Sequence, residues 1–403
     1  MRNLALLLST LPPFPFHPSL LPTPFLTVSR SALTRNLEGM QSILSKHPKV
    51  RLRPHVKTHK CVEISKLTLT VGGAQGLCFQ VMDELEPHID RITEFDDANK
   101  SPHNNKLDFM LTSSVIGKNK LNRLKTLVNN SSYTTLISVL VDDINNLKQL
   151  IDLSVPLGVF IEIDVGQNRC GVNVDDIQGL KTVELLAKTI QDPTNKLEFR
   201  GIHAYQGALQ HVRLESERSS LVQAQSVATA EKVKNYLLQS SNITSPLITG
   251  AGTGSFLHEL SGGVHNEVQP GSYIFMDTDY LANSNPPPFE HSLWILGTVL
   301  SNATGRACCD IGSKAVDLVS GVPKFTQGMT SKYFENMEYE SGGDEHGVLS
   351  PTKEGAEILN VGDLVHAVPC HIDPTVNLHS EIAVINDAGD VEDIWEVHRS
   401  CGR

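Results

Sequence analysis

Eight short apolar runs, most of them separated by a stretch with helical spacing, constrain the fold of this 403-residue chain more than any other feature. The runs cover 50–56, 74–79, 107–112, 136–141, 159–163, 197–203, 247–249 and 273–276. Apolar residues recur at helical intervals over 31–45, 121–128, 142–153, 183–190 and 216–238. Strands that alternate with helices pair in parallel, because the crossover between parallel neighbours needs a dozen or more residues. Eight such units predict a (β/α)8 barrel of the TIM type. An open doubly wound sheet is the alternative, but no Gly-x-Gly-x-x-Gly follows an early strand to support it.

The pattern changes at Asn283-Ser-Asn-Pro-Pro-Pro-Phe289. Beyond it, apolar runs at 293–300, 315–319 and 381–385 lie among Gly-rich turns with little helical periodicity. The expected organisation is therefore a barrel over 23–281 and a mostly β second domain over 282–403. Residues 1–22 hold one short apolar run followed by prolines, too short to span a bilayer and poor as a secretion signal. They are read as a disordered leader, with a weak organelle-targeting role as the alternative. The polar stretch 86–105 reads as a surface insertion between the second and third strands. A formal net charge of −11 argues against nucleic acid or an anionic membrane as partner, so a basic cluster is more simply a local anion site. Seven scattered cysteines without framework or zinc spacing point to a reduced compartment, taken as the cytoplasm.

Barrel chemistry collects at the carboxyl ends of the strands, and several suggestive residues fall there. Lys57, in Arg53-Pro-His-Val-Lys57-Thr-His-Lys60, ends the first run. If the strand continues to Lys57, Arg53, His55 and Lys57 share a face. Neighbouring cations would lower the amine from its usual ~10.4 and suit a Schiff-base lysine; a solvated basic edge is the plainer alternative. Arg169 follows the fifth run, where a buried guanidinium would need an anion or an ion pair with Asp164. Thr249-Gly-Ala-Gly-Thr-Gly-Ser255 follows the seventh and can turn backbone N–H groups toward a phosphate, or be only a tight turn. His211, beyond the sixth, can act as a general base, with His59, His203 and His346 as competitors. In the second domain, His371-Ile372-Asp373 on a strand would put both polar side chains on one face, able to share a divalent cation (Mn²⁺, Mg²⁺ or Zn²⁺) or to form an ordinary surface pair. A lysine and a phosphate loop at one barrel mouth are what pyridoxal 5′-phosphate requires.

Taken in order, Arg53-Pro-His-x-Lys57-x-His-Lys, Glu162-Ile-Asp-Val-Gly-x-x-Arg169-Cys-Gly-Val, Gly250-Ala-Gly-Thr-Gly254, Glu267-x-Gln-Pro-Gly-Ser-Tyr-x-Phe-Met-Asp-x-Asp-Tyr280, Asp344-Glu-His-Gly347 and His371-x-Asp-Pro-Thr-Val-Asn-Leu378 resemble the D-threonine aldolase and D-serine dehydratase family of fold-type III, alanine-racemase-like, pyridoxal-phosphate enzymes. The resemblance runs from about Thr23 to the C-terminus. It implies that Lys57 carries the cofactor, Arg169 approaches its phenolic oxygen and Tyr205 lies near its pyridine ring. It also implies that Gly252, Thr253 and Gly254 hold the phosphate. His371 and Asp373 would bind a divalent cation beside the substrate's β-hydroxyl, with His211 as the nearby base. The dehydratase branch resembles His-x-Cys; this chain has His-x-Asp, as in the aldolase branch, and an oxygen ligand suits Mn²⁺ or Mg²⁺. Cys370 would point away from the metal pair. Gln206, where histidine is more usual, and the 86–105 stretch depart from the pattern. The implied activity is cleavage of a D-3-hydroxy amino acid to glycine and an aldehyde by a head-to-tail homodimer. A D-serine dehydratase is the first alternative; an amino-acid racemase or a non-catalytic cofactor carrier is the second.

Overall fold

In the computed structural model, residues 2–99, 107–131, 135–303, 305–330, 332–353 and 359–400 are described. Leu157–Asp164 buries seven of its eight residues, the mark of a strand covered on both faces. It sits within an all-parallel sheet. Around that sheet run Arg51–Leu52, Glu267–Val268, Leu247–Gly250, Leu197–Ala204, Leu157–Asp164, Thr135–Val141, Leu107–Leu111 and Leu77–Phe79. The two ends approach each other: His55 bridges Cys78 in parallel, and the N–H groups of Gln75 and Cys78 donate to the carbonyls of Leu52 and Pro54. Helices cover the outside, among them Lys118–Asn130, Ile144–Leu153 and Ile177–Ile190. The expected TIM-like barrel is present.

Three expectations about the barrel need correction. The eighth strand is Glu267–Val268, not 273–276, which enters a tight turn at Ser272–Ile274. Tyr273, Ile274, Phe275 and Met276 are apolar because they are buried in the core shared with the second domain, and a two-residue strand is too short to show periodicity. The first strand stops at Leu52, because Pro54 has no N–H to give a ladder. The supposed insertion is largely a helix, Met82–Asn99. Leu85, His88, Ile89 and Ile92 form its buried face, which Pro87 and the charged residues around it obscured. Residues 100–106 lie outside the described residues.

The second domain is a mixed sheet built on Leu293–Ser301, which pairs antiparallel with Phe25–Ser29, Leu364–Val368 and Ala307–Cys309. Phe25–Ser29 then pairs in parallel with Glu381–Ile385. A strand from the start of the chain thus lies in the middle of the C-terminal sheet. The leader is not the disordered segment expected: Arg2–Thr10 is helical, Leu4, Leu7 and Leu11 pack on a cluster with Phe25, Leu296 and Ile394, and Phe16 bridges Val391. Its leucines had a partner that only the folded second sheet creates. Among the described residues no helix is long and apolar enough to cross a membrane.

Candidate active site

After Pro54 the chain turns at Val56–Thr58, and His55 fixes that turn. Its Nδ1 accepts the Lys57 backbone N–H at 3.3 Å, and its Nε2 meets Thr112 Oγ1 at 2.9 Å. Burial above all, then the charge of Lys57, push the His55 imidazole well below its ordinary range. Arg53 points elsewhere. Its guanidinium is fully buried and bridges Asp108 Oδ2 at 2.6 Å and Glu267 Oε1 at 2.8 Å. The expected cluster of cations around Lys57 therefore does not form. Lys57 Nζ lies 3.2 Å from Asp373 Oδ2 instead, and that carboxylate raises the amine above its usual value although burial works the other way. The shift is opposite to the one the sequence predicted.

Asp373 does not come from a strand. Ile372–Val376 is a short helix with His371 at its N-cap. Pro374 falls in the first turn, where its missing N–H has no intrahelical partner to lose, so the residue expected to end a strand helps to begin a helix. His371 and Asp373 nevertheless face the same pocket. Burial favours a protonated Asp373, but Lys57 and His371 outweigh it and hold the carboxyl well below the usual range. Cys370 turns away, its Sγ donating to the Ser320 carbonyl at 3.1 Å.

The loop after Leu157–Asp164 is shaped by Asp164, whose Oδ1 accepts N–H groups of Gly166, Gln167 and Asn168 at 2.9, 2.9 and 3.1 Å. Asp164 is thus a loop cap rather than an ion-pair partner. At Gly171, φ is +100° and a Cβ would come within 2.6 Å of the Asp164 nitrogen, so the loop requires glycine there. Arg169 is exposed at the pocket rim, not buried as expected, because Cys170 beside it also faces outward. Across the mouth, Tyr205, His211, Gly252 and Thr253 complete the lining. Gly254 sits just behind, its N–H donating to Gln210 Oε1 at 2.9 Å. Of the competing histidines, His203 lines the pocket; His59 is buried against the Cys61 N–H, and His346 is exposed in the turn before the strand Gly347–Pro351. Gln206 is buried and accepts the Ala208 N–H.

The residues that sequence reasoning left without a role are Thr58, Gln210, Asp277, Asp279 and Tyr280. Three of them lie in the Met276-Asp277-x-Asp279-Tyr280 segment, whose position after the barrel was visible. Their partners, being distant in sequence, were not.

Residues 28–279 match the family model described as alanine racemase, N-terminal domain, and residues 292–385 match a putative serine dehydratase domain. A D-threonine aldolase of an Arthrobacter species is 36% identical over 93% of this chain and 92% of its own length. The chain belongs to the alanine-racemase-like D-threonine aldolase family. A second member, the 3-hydroxy-D-aspartate aldolase of Paracoccus denitrificans, is 33% identical over 93% of this chain and 91% of its own. The crystal structure of D-threonine aldolase from Filomicrobium marinum superposes with a TM-score of 0.81 at 32% identity, covering 95% of this chain and 96% of that one. A D-serine dehydratase of Dictyostelium discoideum stands further off, at 23% identity over 85% of this chain and 88% of its own.

Members of this family work with pyridoxal 5′-phosphate, and the residues present fit that group. Asp373 Oδ1 is buried at the pocket without a hydrogen-bond partner. Buried polar atoms normally have one, and a polar heteroaromatic ligand can supply it. The backbone at Gly252, Gly254 and Gly271 is packed so closely that a Cβ at each would lie within 2.5 Å of a neighbouring atom. Glycine is therefore required where this backbone packs on Gln210 and Thr58. Among the described residues no group of three or more histidine, cysteine, aspartate or glutamate side chains could hold a metal ion.

Proposed function

We propose that this protein cleaves D-3-hydroxy amino acids, of the D-threonine or 3-hydroxy-D-aspartate kind, to glycine and an aldehyde, with pyridoxal 5′-phosphate and a divalent cation. The observation that carries this reading is the meeting of Lys57 and Asp373, 3.2 Å apart, in a pocket that His371 and His211 also line. It joins the residue that would hold the cofactor to those that would address a β-hydroxyl. The aldolase names of the relatives at 33–36% identity support the same reaction. When bound, pyridoxal phosphate supplies an electron sink for the pair released at Cα.

Lys57 would hold the cofactor. Gly252 and Thr253 would border the phosphate, with Gly254 behind them, its N–H taken by Gln210 Oε1; Tyr205 would border the pyridine ring, and Arg169 at the rim would serve the phenolic oxygen. His371 and Asp373 would hold Mn²⁺ or Mg²⁺, with Zn²⁺ as the softer alternative; one imidazole and one carboxylate would leave positions for water and substrate. His211 takes the β-hydroxyl proton, directly or through water. The working form is a homodimer in the cytoplasm, a setting consistent with the free cysteines Cys61, Cys78, Cys170, Cys308, Cys309 and Cys370.

Incubation with D-threonine, 3-hydroxy-D-aspartate and D-serine tests the reading. Glycine with the matching aldehyde is expected from the first two. Pyruvate from D-serine with no glycine from any substrate overturns it. That outcome would favour the dehydratase reading, for which the match of 292–385 to a serine dehydratase domain is the specific support. Lys57→Ala should abolish both turnover and the visible absorbance of the bound cofactor.

A further inference from the structure

The short turn Asp277–Tyr280 lies between the barrel and the second domain, and its two carboxylates face two different histidines. Asp277 is fully buried. Its Oδ2 lies 3.4 Å from His371 Nδ1 and accepts the Ile372 N–H at 3.2 Å, while its Oδ1 accepts the Tyr280 N–H at 2.9 Å. Asp279 Oδ2 is hydrogen-bonded to His211 Nδ1, and its Oδ1 pairs with Arg213. The backbone ties the turn to the segment before His371: the N–H groups of Thr278 and Asp279 donate to the carbonyls of Pro369 and Cys370 at 3.2 and 3.3 Å. The His211 and His371 rings stand perpendicular with centroids 6.4 Å apart, and Tyr280 packs beside His211 at 5.6 Å.

A carboxylate only accepts hydrogen bonds, so a ring nitrogen facing one carries the proton. In the neutral imidazole the other nitrogen then keeps its lone pair. We infer that Asp277 and Asp279 are positioning residues, which hold Nδ1 of His371 and of His211 respectively so that both rings turn Nε2, with its lone pair, toward the pocket. For His371 that nitrogen is the one able to bind a cation; for His211 it is the one able to take a proton. Carboxylates behind metal-binding histidines act in this way in general, and their loss costs about 10–100-fold in metal affinity. Here one four-residue turn sets both rings, one on each domain. The spacing between the base and the cation ligand therefore depends on a single rigid piece of backbone.

The inference rests on the proposed roles of His371 and His211, and the test separates its failure from theirs. Holoenzyme, Asp277→Asn and Asp279→Asn are each titrated with Mn²⁺ alone and assayed for aldehyde release from D-threonine, with circular dichroism to show that each is folded. Asp277→Asn is expected to bind Mn²⁺ about 10–100-fold more weakly than the unaltered protein. Asp279→Asn is expected to keep its Mn²⁺ affinity within about twofold and to lose about 10²-fold in kcat at an unchanged KM, the scale of a misplaced general base. Unchanged Mn²⁺ affinity in Asp277→Asn, or unchanged kcat in Asp279→Asn, overturns the positioning role of that residue. Crystals of Asp277→Ala and Asp279→Ala give a readout that needs neither cation nor turnover: with no partner left at Nδ1, His371 and His211 are expected to rotate away from the orientation seen here, and rings that stay in place overturn the inference. If the unaltered protein binds no Mn²⁺ while the rings rotate as expected, the cation reading fails and the positioning stands.

Discussion

Lys57 needs a neutral amine to attack a carbonyl, yet Asp373 holds its proton in place. Burial opposes the charged amine, but a carboxylate at 3.2 Å wins, and Tyr205 adds to it. Removing the negative charge should reverse the balance. Asp373→Asn is expected to lower the proton affinity of Lys57, so that pyridoxal phosphate added to cofactor-free protein attaches at lower pH than in the unaltered protein. The visible absorbance that follows attachment, recorded across a pH series, checks the direction; an unmoved or raised profile would contradict it. The same substitution should weaken Mn²⁺ binding, because the proposed site loses one of its two donors. This carboxylate illustrates a limit on reading residues. Spacing predicted the company of His371 and Asp373, and the pocket contains both, but spacing assigned Lys57 the wrong neighbours. Arg53 and His55 are four and two positions away in sequence, yet neither puts a positive charge beside the amine: Arg53 is paired with acids, and burial keeps His55 neutral.

At the scale of elements, the short strand Arg51–Leu52 survives because side chains near it do what a longer ladder would. Arg53 is buried between Asp108 and Glu267, and Arg51 and Arg200 reach the same Asp108 carboxylate at 3.0 and 2.8 Å. Burial disfavours an ionised Asp108, but Arg53, Arg200 and Arg51 outweigh it and hold the carboxyl at about 2. The unfolded value is ~3.9, so this group stabilises the fold above about pH 4. That contribution, about 2–3 kcal/mol, is lost as pH falls through about 2. Asp108→Asn should therefore cost about 3–5 kcal/mol near neutrality, since it leaves a buried guanidinium short of its counter-charge, and should flatten the acid limb of stability. Urea unfolding at a series of pH values measures both; a variant with unchanged midpoint would show that Glu267 alone satisfies Arg53. The helix Ile372–Val376 and the turn at Ser272–Ile274 carry the complementary lesson. Both regions were read as strands, because a segment of three to five residues has no room to display a period.

Across the whole molecule, Phe25–Ser29 crosses from the beginning of the chain to lie between Leu293–Ser301 and Glu381–Ile385. A fragment spanning 282–403 lacks that central strand and should show no cooperative unfolding transition by far-ultraviolet circular dichroism. Adding a peptide spanning 16–30 should restore some of it; a fragment that unfolds cooperatively alone would refute the dependence. The same crossing keeps the second domain seated against the barrel mouth, where it delivers His371 and Asp373 to Lys57. Alternation of strand and helix, the small-residue loop after the seventh strand and the ordered motifs were enough to establish the barrel, the family resemblance and the set of candidate residues, because periodicity and turn chemistry are local properties. Which charge faces Lys57, that Arg169 stands exposed at the rim, and that Asp277 and Asp279 each hold a histidine were decided only by the tertiary structure. Those contacts join residues tens to hundreds of positions apart, and burial and Coulomb energies depend on distance in space rather than along the chain.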